Sequence, residues 1–504
     1  MTRHAKVEGT FWGHDPETPL NLGNLSPEAF ESITTRLADK SMGALADTLA
    51  AVRNCSHPIR LRGYAETFDS STGELVETFT STDQPLGLLF KPCGNRREEV
   101  CPACSRLYAR DTFEMISTGV SGGKGVPETV RANPLLFVTL TAPSFGTVHT
   151  VRGGKPCHPR SKAGPCEHGN ASVCWARHDD SAPKLGSPLC ADCYDVETAA
   201  IWQWFAPELW RRFTITLRRE LAAALGVTTG ELRQLARLEY AKVAEFQSRG
   251  AVHFHALIRL DGPDGQGSAA PVDPGVLEDA VRAAAESVMI TAPPVDHDDR
   301  TRVLRFGHQV DVRTVRHGAI SGDDITAEQV AAYLAKYSTK ATGIDPRKPK
   351  PHLMQLTRAC RILASRALAG CTHGCADHVG ERRGALCDQC RESTYGLLGK
   401  WSSMLGFRGH FSTKSRRYSV TLGKLRRARR RFQQLAADAA RDGMLLDTHD
   451  LEARLMADEE ETILVVGSWT YQGTGWPLPG DKALADAAAA RAREYAQWRS
   501  GRAA

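Results

Sequence analysis

The sequence predicts an α+β fold in which helices pack on an antiparallel sheet. From residue 131 to residue 340 the apolar periodicity follows the order strand, helix, strand, strand, helix, strand, helix. The two consecutive strands are joined by Ser248, Arg249 and Gly250, a short connection typical of a β-hairpin. The chain also has 14 cysteines, most of them closely spaced, which indicates zinc-binding insertions in this fold.

Each element of the sheet domain follows from apolar spacing and end signals. Apolar residues three or four apart predict one long helix after the first strand, and Thr326 with Gln329 forms a capping box that starts the last helix. The predicted elements are a strand at 133–141, a helix at 196–225, strands at 235–246 and 251–260, a helix at 274–289, a strand at 303–312 and a helix from 326.

The 504 residues are predicted to divide into four regions. Helical periodicity at 27–54 precedes the first cysteines, and an Ala/Arg-rich helix is expected at 481–499. The regions are, in order, an N-terminal helical region with a zinc ribbon (1–130), the sheet domain with a zinc-binding insertion at 151–195 (131–345), a second Cys/His block with a basic segment (346–435), and a helical C-terminal tail (436–504).

Several protein classes are excluded by the sequence. No apolar run approaches the roughly 18 to 20 residues of a membrane-spanning helix, and residues 1–17 lack the pattern of a secretory signal. We therefore expect a cytoplasmic protein whose cysteines are reduced and mostly bind metal. Residues 118–125 imitate a P-loop but lack its first Gly and the Ser/Thr after Lys124, so no helicase activity is predicted.

Two histidines alternate on the second strand of the hairpin. Alternate residues of a strand share a face, so His253 and His255 point to one side while Phe254 points into the core. Glu245 and Gln247 have one common parity on the preceding strand, and either could be a third ligand; we prefer the carboxylate because it also balances charge. These residues would hold a divalent cation. The alternative is a pair of hydrogen-bonded structural histidines.

Two tyrosines lie four residues apart on the predicted last helix, so their hydroxyls emerge on one face. Tyr333 and Tyr337 are each followed three residues later by a lysine, Lys336 and Lys340. A phenol with its ordinary pKa of about 10 is a poor nucleophile. A nearby cation favours the phenolate and offsets the charge on an attacked phosphate. The helix is thus a candidate source of a nucleophile; the alternative is one core tyrosine beside solvated lysines.

Three motifs in this order resemble the HUH endonuclease superfamily: the strand FVTLT at 137–141, the His-hydrophobic-His motif at 253–255, and the Tyr-x-x-Lys helix. The tyrosine pair resembles that of the gene A replication proteins of small single-stranded DNA phages. The wider chain, over roughly residues 50–430, resembles replication initiators of actinobacterial rolling-circle plasmids and integrative conjugative elements. This resemblance is carried by EFQSRGAVHFHALIRLDG, YLAKYSTK and LGFRGHFSTKSRRYS together with the Cys-rich blocks.

The resemblance implies an HUH core of ferredoxin- or RRM-like topology that nicks one DNA strand. His253, His255 and Glu245 would hold Mg²⁺ or Mn²⁺ against the scissile phosphate. Tyr333 would attack the phosphorus, leaving a 5′-phosphotyrosine and a free 3′-hydroxyl, and Tyr337 could make the second attack that rejoins the strand. Lys336 would steady the phosphate. The same ligands would also suit Zn²⁺, Ni²⁺ or Co²⁺.

The implied partners are origin DNA, single-stranded or supercoiled, and a host helicase and polymerase, with no membrane. The origin sequence, the oligomeric state, the order in which the tyrosines act and the role of residues 436–504 stay open. Two alternative functions also stay open: a relaxase or transposase with the same chemistry, and a zinc-dependent DNA-binding regulator that does not cleave.

Most cysteines are assigned to structural zinc sites. Cys101 and Cys104 have the spacing of a zinc knuckle, which Cys55 and Cys93 could complete. Two later blocks repeat one order of ligand types and end in a CxxC pair, whereas Cys157 and Cys360 are expected to be ordinary small residues. The ligands predicted in these blocks are Cys166, Cys174, Cys190 and Cys193, then Cys371, Cys375, Cys387 and Cys390, with His168, His178, His373 and His378 as alternatives. A pooled cluster of two zinc ions is the other arrangement that stays open.

A dense basic run covers residues 414–431 and is interrupted by Tyr418. The net charge of the chain, +6, is only mildly basic, so the local concentration of charge is more informative than the total. We expect the run to contact DNA phosphates rather than to be a bare solvated helix face. The residues predicted to do so are Lys414, Arg416, Arg417, Arg426 and Arg427.

Overall fold

A computed structural model of the chain describes residues 20–84, 86–159, 164–316, 325–339, 350–380, 386–457 and 463–502. The chain forms two compact units: Met1–Thr112 together with Thr421–Ala504, and Phe113–Val420. Within the described residues, no helix combines the length and the apolar character that crossing a bilayer requires.

The predicted α+β class is confirmed by antiparallel sheets combined with several helices. The helices are α1 (Pro27–Ala38), α2 (Met42–Ala51), α3 (Pro102–Ser121), α4 (Val196–Ala224), α5 (Leu232–Leu235), α6 (Pro274–Ser287), α7 (Ala327–Ser338), α8 (Pro351–Leu368), α9 (Asp388–Glu392), α10 (Leu422–Arg441), α11 (Leu451–Met456) and α12 (Pro479–Arg502). The strands are β1 (Ile59–Asp69), β2 (Leu75–Thr80), β3 (Leu89–Lys91), β4 (Leu135–Leu140), β5 (Arg237–Phe246), β6 (Val252–Asp261), β7 (Ile290–Ala292), β8 (Arg302–Leu304), β9 (Val310–Arg316), β10 (Ile325–Thr326), β11 (Ser412–Lys414) and β12 (Ile463–Thr474).

The unit that joins both ends of the chain is built around β1, which pairs antiparallel with β12, β2 and β3. Its core includes Trp476, which stacks on Phe90 at 5.3 Å and donates from Nε1 to the Cys55 carbonyl. Arg36 on α1 and Asp481 on α12 form a buried bidentate ion pair, with Nε–Oδ1 at 2.5 Å and NH2–Oδ2 at 2.7 Å. Helices α1 and α12 are therefore held together within this unit.

Two elements differ from the predicted pattern. The helical segment at 27–54 is two helices, separated at Lys40, which has a left-handed φ of 59°. The tail also contains strand β12, because its run of β-branched and aromatic residues favours pairing with β1 over helix.

The unit Phe113–Val420 is built on a six-stranded sheet in the order β10-β9-β4-β6-β5-β11. The strands pair antiparallel except β9 and β10, which are parallel. One face packs its apolar residues, such as Val138, Phe254 and Ile258, with Trp202 and Phe213 of α4 in the main hydrophobic core. Burying each such side chain contributes on the order of 1.5–3 kcal/mol. Polar side chains are thereby concentrated on the opposite face of the same strands.

The strand predicted at 303–312 is interrupted. It forms β8, which pairs with β7 in a separate two-stranded sheet, and β9, which joins the main sheet. Gly307 lies between them and donates from its backbone to the Thr141 carbonyl at 2.7 Å. A Cβ at this position would lie 2.9 Å from the Ala142 carbonyl oxygen. Glycine therefore permits the close approach that redirects the chain.

Candidate metal and nucleophile site

The predicted hairpin of β5 and β6 brings the two histidines and one carboxylate together. Antiparallel register places Glu245 opposite His253, and His255 follows on the same face. Glu245 Oε2 lies 2.9 Å from His253 Nε2 and 3.2 Å from His255 Nε2. The side chains of His253, His255 and Glu245 are 15%, 4% and 7% exposed. The three groups thus form a compact and largely buried cluster.

The hairpin turn is fixed by contacts that the local sequence does not reveal. Gly250 has a φ of +81°, and a Cβ there would lie 2.7 Å from Leu353 Cδ2. The buried amide of Gln203, on α4, donates to the Gly250 carbonyl at 2.7 Å and accepts from the Val252 backbone at 2.8 Å. These contacts hold the start of β6, and hence His253, in a defined position.

His255 is oriented by the neighbouring strand β4. Thr139 lies opposite His255, and its Oγ1 is 3.0 Å from His255 Nδ1. Phe137, two residues before Thr139 on the same strand, stacks on the imidazole of His255 with ring centroids 5.8 Å apart and planes 10° apart. The Thr139 contact at Nδ1 leaves the other nitrogen, Nε2, directed toward Glu245.

The cluster fits a divalent cation. One atom from each of Glu245, His253 and His255 lies within 4.8 Å of the others. A buried carboxylate is costly unless a positive charge compensates it, and two imidazoles with one carboxylate are suitable ligands for a divalent ion. Gln247, the alternative third ligand, instead accepts at Oε1 from Arg249 Nε at 2.8 Å. The geometry therefore favours Glu245 over Gln247.

Helix α7 brings both tyrosines next to this cluster. The predicted capping box is present, since Thr326 Oγ1 accepts from the Gln329 backbone and the Gln329 side chain accepts from the Thr326 backbone. Tyr333 OH lies 3.4 Å from His255 Nε2. The Tyr337 ring lies 4.4 Å from that of Tyr333 and 6.1 Å from that of His255.

The electrostatic surroundings of Tyr333 disfavour its phenolate. Burial raises the pKa of Tyr333, and the nearby Tyr337 and Glu245 raise it further. The side chain is still 38% exposed, so one side of it faces solvent. Lys336 is exposed and its Nζ lies 5.7 Å from the centroid of the Tyr337 ring. Lys340 lies outside the described residues.

Strand β9 adds two charged residues that the sequence did not single out. Asp311 is opposite Thr139 and Arg313 is opposite Phe137, so both lie on the face of the sheet that carries His255. Their side chains form an ion pair at 3.1 Å and are 46% and 49% exposed. The alternation DVRTVR carries a signal for a half-exposed strand, but its pairing with β4 is needed to place it beside the site.

A cleft of about 1100 Å³ opens where β4 ends. It is lined by Thr141 and Ser144, by the hairpin turn around Arg249, and by Arg305 and His308 from the loop before β9. The cleft thus adjoins the end of β4 and the turn between β5 and β6.

The four-cysteine groups occur at two of the predicted positions. Cys55, Cys93, Cys101 and Cys104 lie with their sulfurs within 4.8 Å of one another, as do Cys371, Cys375, Cys387 and Cys390. The Sγ–Sγ distances of 3.8 Å for Cys55–Cys101 and for Cys371–Cys387 match the edge of about 3.8 Å expected for a tetrahedral Zn²⁺ with Zn–S bonds of about 2.3 Å. In the block at 371–390 the group consists of four cysteines and does not include His373 or His378.

The insertion after β4 uses its ligands differently. Its residues form two groups, His149 with Cys157, Cys174 and His178, and Cys166 with His168, Cys190 and Cys193. The sequence predicts Cys157 to be an ordinary small residue, but the structure places it in the first of these groups. Its Sγ lies 3.9 Å from His149 Nδ1. The sequence analysis did not identify His149 as a candidate ligand, because it precedes the repeated block and has no ligand pair at a characteristic spacing beside it. Cys360, by contrast, is buried on α8 and belongs to none of these groups.

The basic run is divided between the two units at residue 420. Arg416 and Arg417 are exposed, whereas Lys414 is partly buried, which lowers its pKa, and donates from Nζ to the carbonyls of Ser415 and Arg416. Tyr418 is fully buried beneath Arg259.

On helix α10, Arg426 is exposed and Arg427 is partly exposed. Arg429, on the same helix, pairs with Asp111, and Arg431 donates to the carbonyls of Leu455 and Ala457. Part of the basic run therefore has a structural role, and Arg416, Arg417, Arg426 and Arg427 are the predicted contacts left at the surface.

Known proteins resemble the chain over most of its length. Residues 41–490 match a family model described as the replication initiator protein of pSAM2, RepSA. A curated replication initiator protein from Streptomyces ambofaciens is 40% identical over 449 residues, which cover 85% of this chain and 86% of that protein. No solved structure matches the chain.

Proposed function

Since the chain belongs to the RepSA family of replication initiator proteins, we propose that it starts replication by nicking one origin strand with Tyr333. The observation that carries this proposal is the convergence of Tyr333 OH, 3.4 Å from His255 Nε2, with the buried cluster of Glu245, His253 and His255. The flanking strand FVTLT and the His-x-His hairpin support an HUH-type endonuclease core.

Glu245, His253 and His255 would hold the Mg²⁺ or Mn²⁺ of such an endonuclease. Bound there, the cation supplies a Lewis acid that polarises the scissile phosphate. Thr139 keeps His255 Nε2 directed at this position. The negative charge of Glu245 otherwise raises the pKa of Tyr333, so balancing that charge makes the phenol easier to deprotonate.

Tyr333 acts as the nucleophile. Its oxygen forms a bond to phosphorus while the bond from phosphorus to the 3′-oxygen breaks, and the departing strand takes up a proton as a 3′-hydroxyl. The product is a 5′-phosphotyrosine, which conserves the phosphodiester bond for later rejoining. Tyr337, with its ring 4.4 Å from that of Tyr333, is suited to the second transfer that closes the strand. Lys336 would offset phosphate charge beside them.

The remaining roles follow from this reaction. The free 3′-hydroxyl is a primer for a host polymerase, and a host helicase would open the duplex because the chain lacks a complete P-loop. Origin DNA would be contacted through Arg416, Arg417, Arg426 and Arg427. The two four-cysteine groups would bind structural Zn²⁺, which leaves no open position for substrate.

A nicking assay on a single-stranded oligonucleotide that carries the cognate origin tests the proposal. We expect a protein–DNA adduct that survives denaturation, needs Mn²⁺ or Mg²⁺, and is absent from Tyr333→Phe/Tyr337→Phe and from His255→Ala. The single Tyr→Phe variants rank the two hydroxyls. Tyr64→Phe, at an exposed tyrosine of β1 in the other unit, serves as the control and keeps wild-type activity.

The same assay separates the alternatives. Metal-independent binding without any adduct would overturn the proposal and favour a DNA-binding regulator. An adduct formed on a transfer origin or a transposon end in preference to the replication origin would favour a relaxase or transposase.

A further inference from the structure

We infer that the insertion between β4 and α4 binds two zinc ions through ligand pairs that alternate along the chain. This inference is independent of the nicking reaction. The first ion would be held by His149, Cys157, Cys174 and His178, and the second by Cys166, His168, Cys190 and Cys193.

The ligand spacing in both groups is that of a tetrahedral ion. Zn–S bonds of about 2.3 Å and Zn–N bonds of about 2.0–2.1 Å require S–N edges of about 3.6 Å and N–N edges of about 3.4 Å. In the first group Cys174 Sγ lies 3.5 Å from His178 Nε2, which lies 3.1 Å from His149 Nδ1. In the second, His168 Nδ1 lies 3.2 Å from Cys193 Sγ and 3.9 Å from Cys190 Sγ.

Neighbouring donors point at the sulfurs, as expected for thiolates that bind metal. The Thr150 backbone donates to Cys157 Sγ at 3.2 Å, and Asn170 Nδ2 donates to Cys190 Sγ at 3.2 Å. Such hydrogen bonds stabilise the negative charge on a ligand sulfur and fix its direction. Gly169, with a φ of +75°, closes the turn that brings Cys166 and His168 together.

The insertion has almost no hydrophobic core of its own. Among its described residues from 146 to 192, Leu185 is the buried apolar side chain besides Cys157 and Cys190. A segment of this length cannot offset the entropy of ordering with so little buried apolar surface. Metal binding can supply that free energy, as it does in small zinc domains.

The order of the ligand pairs links the two ions. Along the chain the first pair (His149, Cys157) and the third pair (Cys174, His178) bind one ion. The second pair (Cys166, His168) and the fourth pair (Cys190, Cys193) bind the other. Each ion therefore closes a loop that contains ligands of its neighbour. The two sites are expected to form and to be lost together.

The position of this two-ion module gives it a function. A Cβ at Gly186 would lie 2.2 Å from the Ser248 backbone, so the module packs directly on the β5–β6 turn. From the other side of that turn, Arg249 donates to the carbonyls of Pro143 and Ala142, which lead into the module. His149 and Leu185 also line the cleft. The module thus braces the hairpin that carries Glu245 and His253.

Zinc content measured by inductively coupled plasma mass spectrometry tests the ligand assignment. The full chain carrying His253→Ala/His255→Ala, which removes the catalytic cation site, is expected to hold four zinc ions, one for each remaining group. Adding His149→Ala should lower the content by at least one ion, whereas His149→Cys, which restores a ligand, should retain all four. His158→Ala is the matched control, since His158 contacts the Val148 carbonyl rather than a ligand group.

Three outcomes would overturn the assignment: a content of three or fewer ions before His149 is changed, an unchanged content in His149→Ala, or an equal loss in His158→Ala. The first of these needs no variant of the module itself, so misfolding of a variant cannot obscure it.

Limited trypsin digestion tests the alternation of ligand pairs. Cys157→Ser removes a ligand of the first ion and Cys166→Ser a ligand of the second. Both variants should lose protection at the same bonds, after Arg152, Arg177 and Lys184, while Cys360→Ser stays protected. If each variant were cut only within the loop of its own ion, the two sites would be independent and the alternation would be disproved.

Discussion

The orientation of one imidazole depends on a single hydroxyl, that of Thr139. His255 contacts Glu245 and Tyr333 through Nε2, and on the other side of the ring its Nδ1 lies 3.0 Å from Thr139 Oγ1. Residues that orient metal-binding histidines typically contribute a factor of about 10–100 in metal affinity or activity. We therefore expect Thr139 to act by positioning the histidine.

Thr139→Val should raise the Mn²⁺ concentration needed for half-maximal nicking by about 10–100-fold. The valine has the same shape but cannot hydrogen-bond Nδ1, so the imidazole can rotate or change tautomer. Thr139→Ser, which keeps the hydroxyl, should restore the wild-type Mn²⁺ dependence. The measurement is a Mn²⁺ titration of adduct formation, and equal titrations for the valine and serine variants would contradict the positioning role.

At the scale of single elements, strand β5 carries a charged side chain on each of its two faces, in different surroundings. Glu245 lies on the face of the metal cluster, whereas Lys242 lies on the core face, 3% exposed, with its Nζ 4.5 Å from the centroid of the Phe254 ring. Burial lowers the pKa of Lys242 to about 7 from its ordinary 10.5. Between pH 7 and pH 10.5 the unfolded chain therefore binds more protons at Lys242 than the folded chain does. The free energy of unfolding consequently increases with pH over this range, and this gain is lost as pH falls toward 7.

Lys242→Met should therefore stabilise the unit Phe113–Val420 at pH 7 and flatten its pH dependence. The wild type should gain stability on the order of 1.4 kcal/mol per pH unit between pH 7 and 9, and the methionine variant should not. The measurement is the melting temperature at both pH values. Lys400→Met, at an exposed lysine of the same unit, is the control. A steep pH dependence that persists in Lys242→Met would show that another group causes it.

The elements that the sequence predicts well are those specified by local signals. The hairpin turn at Ser248–Gly250 and the capping box at Thr326 are each contained in four residues or fewer, and both occur at the predicted places. Long-range pairing is not encoded in this way. The register of β9 on β4, which brings Arg313 to the site, and the hydrogen bonds of Gln203 to the hairpin depend on residues far apart in the sequence.

The zinc ligands illustrate the same limit. CxxC spacing identifies Cys190 with Cys193 because two ligands of one ion lie within a turn. His149 and Cys157 are separated by seven residues, without a characteristic spacing, and their partners Cys174 and His178 come only after ligands of another group. Because the ligand pairs of the two groups alternate along the chain, the first group is not recognisable from sequence spacing alone.

For the molecule as a whole, affinity for DNA must come from the distribution of charge, since the net charge is only +6 over 504 residues. The surface arginines of the basic run belong to both units, Arg416 and Arg417 to one and Arg426 and Arg427 to the other. We expect each pair to contact DNA phosphates. Their contributions can be separated, because each phosphate contact releases counterions and so adds to the salt dependence of binding.

Arg416→Ala/Arg417→Ala and Arg426→Ala/Arg427→Ala should each reduce the slope of log K against log salt by up to about 1.8 on duplex DNA, or about 0.9 per lost phosphate contact. The matched control is Arg211→Ala/Arg212→Ala, which removes the same charge from exposed arginines that pair with Glu208 on α4. The measurement is fluorescence anisotropy of origin DNA over a series of salt concentrations.

Because the control lowers the net charge equally, a slope reduced to the same extent in all three variants would reflect total charge and would exclude specific contacts by the basic run. A reduced slope in only one of the two double variants would assign phosphate binding to the unit that carries it.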